Sequence, residues 1–317
     1  MTDEAVFATA RLCVVGNINR DLKTAPLAPG AYLCDDGETS LDALDETIGG
    51  GGANSAAMAA GLGARASLVG QVGADGLGRR LEQVLQSRGV QCRLHRAPDL
   101  ATGSTLNLVY QTGRRHFLSC HPNNAALAFE RLDLQDLRQA THLLRADIWF
   151  SESMLYEGNQ KVFEAARAAG VPASIDLNWD PQWGRASADE TARRKAAVRR
   201  ALPLVALAHG NVRELNELTG ETELARSAAR LLEWGVGAVV AHLGSSGAGW
   251  FSATETLVEP AAPVSRRRMV TGTGDLLSTC LMLMHHRADI TTAERLRLAN
   301  RIVGEFIQGD RDLIPRL

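Results

Sequence analysis

Two glycines around a threonine, closed by an aspartate, stand at Gly272-Thr273-Gly274-Asp275, directly ahead of the apolar run 276–284. Backbone without side-chain bulk lets successive N–H groups point at one spot, and a helix expected to begin at Asp275 adds the positive end of its dipole there. The result is a hole for an anion. A carboxylate at its rim can take a proton from a hydroxyl held beside that anion, the minimum equipment for phosphoryl transfer to an alcohol. The same residues also fit a simpler assignment in which Asp275 only caps a buried helix.

Other polar groupings fall where strands are expected to end. Asn19 and Asp21 follow the apolar run 12–15 and Gly16, and being two apart they lie on one side of an extended chain. In open α/β sheets that edge is the ligand crevice, which suits the pair to sugar hydroxyls; a turn satisfied by its own Asn and Asp is the alternative. Asn211 and Glu214 are three apart. At a helix start they share a face and suit water-mediated magnesium binding, although a capping box uses the same spacing. Gly49, Gly50, Gly51 and Gly52, with Asn54 just beyond, imply close backbone approach to a ligand or between packed elements. This run is no dinucleotide fingerprint, because Asn54 or Ser55 falls where G-x-G-x-x-G needs its last glycine; a nicotinamide enzyme is thereby disfavoured. Gly244, Ser245 and Gly247 form a glycine-rich exit from another strand, with Trp250 in place of a P-loop lysine.

Composition narrows the partners. A formal charge of −2 supplies no field for nucleic acid or an anionic membrane, and no apolar run approaches the ~20 residues that span a bilayer. Small-molecule partners are expected. Cys13, Cys34, Cys92, Cys120 and Cys280 lack CxxC spacing and read as reduced thiols, neither a disulfide framework nor a zinc site. The start, Met1-Thr2-Asp3-Glu4-Ala5, carries acids where a secretory leader carries bases, so a cytoplasmic location is expected.

These groups need a scaffold to bring them together. Apolar runs at 12–16, 66–70, 146–150, 173–176, 204–208 and 239–243 alternate with helical patterns at 78–85, 160–169 and 188–202. That alternation predicts a parallel sheet covered by helices on both faces. Residues 104–119 break the rhythm as an antiparallel hairpin turning at 111–113. With part of 22–48 it makes a small sheet standing off as a lid, or else both segments add edge strands to the main sheet. Arg266-Arg267-Arg268 reads as a solvated face, and His285-His286 as the polar end of the helix from 275.

In order along nearly the whole chain, these segments resemble the ribokinase-like (PfkB) family of carbohydrate kinases. Gly49-Gly50-Gly51-Gly52-Ala53-Asn54 is similar to its first signature, Gly73-Ala74-Asp75-Gly76-Leu77-Gly78 to a G-x-D-x-x-G segment and Gly272-Thr273-Gly274-Asp275 to its second signature. Asn211-Val212-Arg213-Glu214 resembles its N-x-x-E motif, Asp176-Leu177-Asn178 a D-x-N segment and Ala299-Asn300 a pair near the adenine pocket. The resemblance implies one α/β domain over 1–317: a doubly wound, mostly parallel sheet flanked by helices, with a lid from about 22–48 and 102–119. It also implies a homodimer through the lid. A lid suits a kinase because it excludes water that would otherwise accept the phosphoryl group.

The implied reaction is ATP-dependent phosphorylation of a hydroxymethyl group on a small sugar or polyol. Asn19, Asp21, Gly50, Gly51 and Asn54 would bind the acceptor, and Asp275 would be the base. Gly272, Thr273 and Gly274 would form the anion hole. Asn178, Asn211, Gly244, Ser245, Gly247 and Asn300 would surround ATP, with Mg2+ held through water by Glu214. Because the helix terminus stabilises its carboxylate, Asp275 is expected to be a weak base acting late. Two positions depart from the family: Met269 and Val270 stand where it usually carries Asp-Thr, so the monovalent-cation site several relatives build there lacks its aspartate. Asp180 replaces an arginine found in some sugar-acid kinases, which disfavours an acidic acceptor. The alternatives are a pyridoxal-type or nucleoside kinase of the same superfamily and a catalytically silent sugar- or nucleotide-binding regulator.

Overall fold

The chain opens with α1 (Asp3–Phe7) and β1 (Arg11–Val15), leaves the main body as β2 (Asn19–Thr24) and β3 (Leu44–Gly49), and returns through α2 (Gly51–Gly61). β4 (Arg65–Gly73), α3 (Gly76–Ser87) and β5 (Val90–Ala97) follow, then the hairpin β6 (Ser104–Val109) and β7 (Arg115–Cys120) and the short α4 (Pro122–Ala125). After β8 (His142–Arg145) come α5 (Asn159–Ala168), β9 (Ala173–Asp176), α6 (Ala188–Ala201), β10 (Leu207–Asn211), α7 (Val212–Thr219) and α8 (Leu224–Glu233). The last elements are β11 (Ala238–His242), β12 (Ala248–Ser252), β13 (Thr256–Glu259), α9 (Thr273–Met284) and α10 (Thr292–Gln308). This computed structural model describes residues 3–30, 33, 35–267 and 271–317. Cys34, Arg268, Met269 and Val270 lie outside the described residues, so the substitution at the two positions before the anion loop has no structural account here.

Among the described residues the main sheet runs β13-β12-β11-β10-β9-β8-β1-β4-β5. From β11 to β5 neighbouring strands are parallel, and β12 and β13 close one side antiparallel. Two apolar layers cover it. One packs residues of α2, α9 and α10 against one face, and the other packs residues of α5 to α8 against the opposite face, the arrangement expected of parallel strands whose faces are both buried. Local chemistry sets the helix ends: the Asp75 side chain accepts from the Gly78 amide to start α3, Thr291 and Glu294 form a capping box on α10, and Gly220 and Gly309 end helices in the left-handed region.

The segments 22–48 and 104–119 do not extend the main sheet. They form a separate sheet in the order β3-β2-β6-β7, with β2 beginning at Asn19 and β7 ending at Cys120. The small sheet thus takes in Asn19 and Asp21, which a boundary at 22 leaves outside. Two other expectations change. The strand expected at 146–150 does not form: β8 spans His142–Arg145 and ends just before that run, and the strand expected at 204–208 is β10, Leu207–Asn211. In both cases apolar residues lie outside the ladder, and hydropathy alone does not mark its ends. Cys13, Cys92, Cys120 and Cys280 are free thiols, and among the described residues no helix is long and apolar enough to cross a membrane.

Candidate active site

Parallel strands deliver their C-terminal ends to one edge, and the polar residues just beyond those ends converge there. β1 ends at Val15, and Gly16, directly after it, packs against the start of α2. A Cβ on Gly16 would lie 2.7 Å from the Gly52 Cα, and a Cβ on Gly52 would lie 2.6 Å from the Gly16 Cα. The glycine run is therefore a seam where the start of α2 meets the end of β1. Gly50, with φ 90°, would set a Cβ 2.5 Å from the Asn17 carbonyl oxygen. Overpacking of this kind costs about 1–3 kcal/mol, so Gly52→Ala is expected to lower the urea midpoint by that equivalent; an unchanged midpoint would show that the seam can open.

The residue that organises this seam is Asp147, two positions after β8. Its carboxylate accepts from the amides of Asn17 (2.9 Å), Gly51 (3.1 Å) and Gly52 (2.9 Å), with its own backbone at φ 57°. Sequence reasoning places Asp147 inside a strand and misses this role. The available signal is a lone acid within the otherwise apolar run 146–150. Asn123, also missed, bridges the same region: its amide donates to the Ile18 and Gln71 carbonyls and accepts from the Gly103 amide, tying the exit of β1 and β4 to the entry of the small sheet.

Around this seam the predicted acceptor residues come together. Asn19 Nδ2 donates to Asp21 Oδ1 at 2.7 Å, and a Cβ on Gly49 would collide with both side chains. Asn54, on α2, donates through Nδ2 to Asp275 Oδ2 at 3.3 Å. Asp275 is the third residue of α9, which starts at Thr273, two residues earlier than expected, with Gly272 as N-cap at φ 79° and no side-chain cap. The assignment of Asp275 as a cap is thus overturned; its partner is Asn54, 221 residues away in sequence. Its carboxyl is pushed up to about 7, first by burial and then by the charge of Asp147 with a further push from Glu214, against the lowering Asn54 bond. This corrects the expectation of a weak base, since burial, with neighbouring carboxylates adding to it, outweighs the helix terminus. Asp21 is likewise pushed up to about 7 by burial, with Asp147 and Asp275 adding to it.

Thr273 and Gly274 also line a cavity of about 520 Å³ with His242, Gly244, Ser245, Gly247, Arg267 and Asn300. A Cβ on Gly274 would approach His242 Nδ1 to 3.0 Å, so the loop and the end of β11 are in contact, and His242 Nε2 pairs with Ser278 Oγ at 2.9 Å. Asn300 donates to the Glu259 and Pro260 carbonyls and fixes the opposite wall. Arg267, read as part of a solvated face, lines this cavity, whereas Arg266 pairs with Asp310. From the small sheet, Arg115 Nη1 donates to Thr271 Oγ1 at 2.9 Å.

Asn178, Asn211 and Glu214 stand apart from that cavity lining. Asn178, at φ 39°, accepts from the Asp147 amide and donates to Asp176. Asn211 and Glu214 form a capping box on α7 at 3.0 and 2.8 Å. Burial pushes the Glu214 carboxyl up, and Asp176 is pushed well up by burial and by the charges of Asp275 and Glu214. Among the described residues no group of three or more His, Cys, Asp or Glu side chains is placed to hold a metal ion, so a cation at Glu214 would draw part of its coordination from water and phosphate oxygens. Asp180 points elsewhere: it is fully buried in an ion pair with Arg194 at 2.7 Å, so it carries no information about the acceptor.

Residues 9–282 match the protein family described as pfkB family carbohydrate kinase. Among solved structures, the chain is similar to Arabidopsis thaliana ribokinase complexed with ribose and ATP (22% identity, 96% of this chain and 94% of that one, TM-score 0.76). It is similar also to adenosine kinase from Sinorhizobium meliloti (18%, 95% and 94%, 0.80) and to an E. coli protein in complex with ATP and Mg2+ (21%, 94% and 93%, 0.79). With residues 9–282 matched by the family and the doubly wound sheet in place, the chain belongs to the pfkB family of carbohydrate kinases, phosphotransferases that act on an alcohol group.

Proposed function

We propose that this protein transfers the γ-phosphoryl group of ATP to a hydroxymethyl group of a small sugar or related polyol. The observation that carries the reading is the position of Asp275. Through Asn54 it joins the side bearing Asn19, Asp21, Gly50 and Gly51, and through Thr273 and Gly274 it adjoins the cavity bounded by Gly244, Ser245, Gly247 and Asn300. One carboxylate thus stands between an acceptor side and a donor side, where a transferred proton must be collected.

The residues divide the work. Asn19, Asp21 and Asn54 orient the acceptor, and Asp275 takes the proton from its hydroxyl as the oxygen attacks phosphorus. The amides of Gly272, Thr273 and Gly274 stabilise charge developing on the phosphoryl oxygens. Arg267, on the cavity wall, adds positive charge on the phosphate side. Mg2+, held by Glu214 through water with Asp176 beside it, would supply charge neutralisation across the phosphates when bound. Asn178 and Asn211 act through Asp147, Asp176 and Glu214, the groups they hold. The small sheet covers the acceptor and excludes water as a competing acceptor. Its edge strand β7 is exposed along its length, with Phe117 and Leu118 49% and 52% exposed, and pairing of this edge with a second copy fits a homodimer through the lid. Free thiols accord with a cytoplasmic setting.

ADP release measured with Mg2+ over pentoses, hexoses, amino sugars, inositols, nucleosides and pyridoxal tests the reading. Turnover with at least one sugar or polyol is expected. ATP binding without ADP release over the whole panel would leave a silent nucleotide-binding protein and overturn it.

A further inference from the structure

Around residues 49–54 donors and acceptors do not balance. Asp21, Asp147 and Asp275 bring three carboxylates to this segment, and the neighbouring donors are already committed to them. Asn19 Nδ2 donates to Asp21, the amides of Asn17, Gly51 and Gly52 donate to Asp147, and Asn54 Nδ2 donates to Asp275. The Thr105 hydroxyl, opposite Asp21 in the β2–β6 pairing, hydrogen-bonds to Asp21 and lies 2.8 Å from His121 Nε2, so it too is committed. Among the described residues no Lys or Arg forms an ion pair with any of the three carboxylates. Arg145, close in sequence to Asp147, uses its guanidinium on Asn159 and on the Val15 and Ala146 carbonyls.

Acceptors, by contrast, are left over. Asn54 Oδ1 has no partner although the residue is only 6% exposed, and Asn107 Oδ1, one strand step from Thr105 on β6, has none although that residue is 4% exposed. The orientation of the Asn54 amide follows from its neighbour, since turning its oxygen toward Asp275 would set two acceptors against each other. Buried acceptors without donors are costly, so a ligand that completes this compartment must donate more hydrogen bonds than it accepts.

We infer that the acceptor compartment is built for an alcohol that also carries a protonated amine, an amino sugar or amino polyol, and that the ammonium group sits among Asp21, Asp275 and the side-chain carbonyl of Asn54. This rests on the kinase reading of the compartment. An ammonium offers three donors and no acceptor, and it supplies positive charge beside Asp21 and Asp275, whereas Asp147 already interacts with the buried Arg145 guanidinium. A hydroxyl brings an acceptor with every donor, and a carboxylate or phosphate would meet like charge. The upward push on Asp21 and Asp275, each caused by burial and by neighbouring carboxylates, is relieved by the same group.

Isothermal titration at pH 7.5 with matched pairs tests it: glucosamine against glucose, galactosamine against galactose and glucamine against sorbitol, with N-acetylglucosamine as the uncharged control. At least one amine is expected to bind tenfold or more tightly than its hydroxyl partner, the advantage disappearing on acetylation and shrinking in Asp21→Asn. Hydroxyl partners that bind as well as the amines in every pair, or no binding by any compound, would overturn the inference; the acetylated control keeps this decisive even if the variant is unstable. ADP release separates the two readings. Turnover of a neutral sugar without any amine preference removes this inference and leaves the kinase, whereas amine binding without ADP release removes the kinase and leaves the compartment.

Discussion

Asp275→Asn is expected to lower kcat by about 10²–10⁴, the range over which a positioned general base contributes, with ATP affinity retained because the cavity lining is unchanged. The same substitution is expected to raise stability. A folded-state carboxyl pushed up to about 7 from 3.8 means that the folded protein holds this proton more tightly than the unfolded chain. Stability from this group is therefore present at low pH and is lost as pH rises from about 4 through about 7. Asparagine does not ionise, so the melting temperature of the variant should exceed that of the wild type at pH 8, the gap closing by pH 5. For the wild type, kcat/KM should rise with pH through about 7 and then level, since only the unprotonated base can accept the hydroxyl proton. A soluble Asp275→Asn enzyme with wild-type kcat on a proven substrate would remove the residue from this role.

Asp147→Ala is the second substitution with a large expected effect, and here the effect is on stability. Hydrogen bonds to a charged acceptor contribute about 1.5–3 kcal/mol each, and orphaned buried amides cost a similar amount. Three amides lose their acceptor together, which is expected to remove about 3–5 kcal/mol after allowing for partial relaxation, read from chemical denaturation. Asp147→Asn keeps one acceptor oxygen and should lose about half of that. It has a second consequence that a merely structural residue would not produce. Because the charge of Asp147 helps to push the Asp275 carboxyl up, its removal should shift the acid limb of the pH–rate profile downward. An unchanged profile with unchanged stability would mean that the amides of Gly51 and Gly52 find other acceptors.

Much of this arrangement is legible without coordinates. The βα rhythm predicts the parallel sheet because strands buried on both faces leave continuous apolar runs, and β9 and α6 fall where the runs place them. Asp275, Asn54, Asn19 and Asp21 can be named because each follows a glycine run or a strand end, where backbone and polar side chains meet ligand. What cannot be read is contact across the chain. Asp147 lies inside an apolar stretch, and only the seam between Gly16 and Gly52 shows why an acid is needed there. The basicity of Asp275 is understated for the same reason: sequence displays the helix terminus beside it but not its burial, nor Asp147 and Glu214 in space. Arg267 takes its sequence assignment from its neighbours in the chain, whereas its surroundings are set by Gly274 and Asn300.

The acceptor side is divided between two bodies. Asn19 and Asp21 belong to β2 of the small sheet, whereas Asn54 and Asp147 belong to the main body. On the proposed reading, an acceptor held by Asn19, Asp21 and Asn54 joins the small sheet to the main body, so the work of holding the small sheet in place is charged to the acceptor's own affinity. An open population would weaken the observed Kd by the fraction closed. On that reading a poor acceptor fails twice, in contacts and in failing to seal the site, and ATP hydrolysis measured without an acceptor is expected to exceed the hydrolysis that accompanies turnover of a good one.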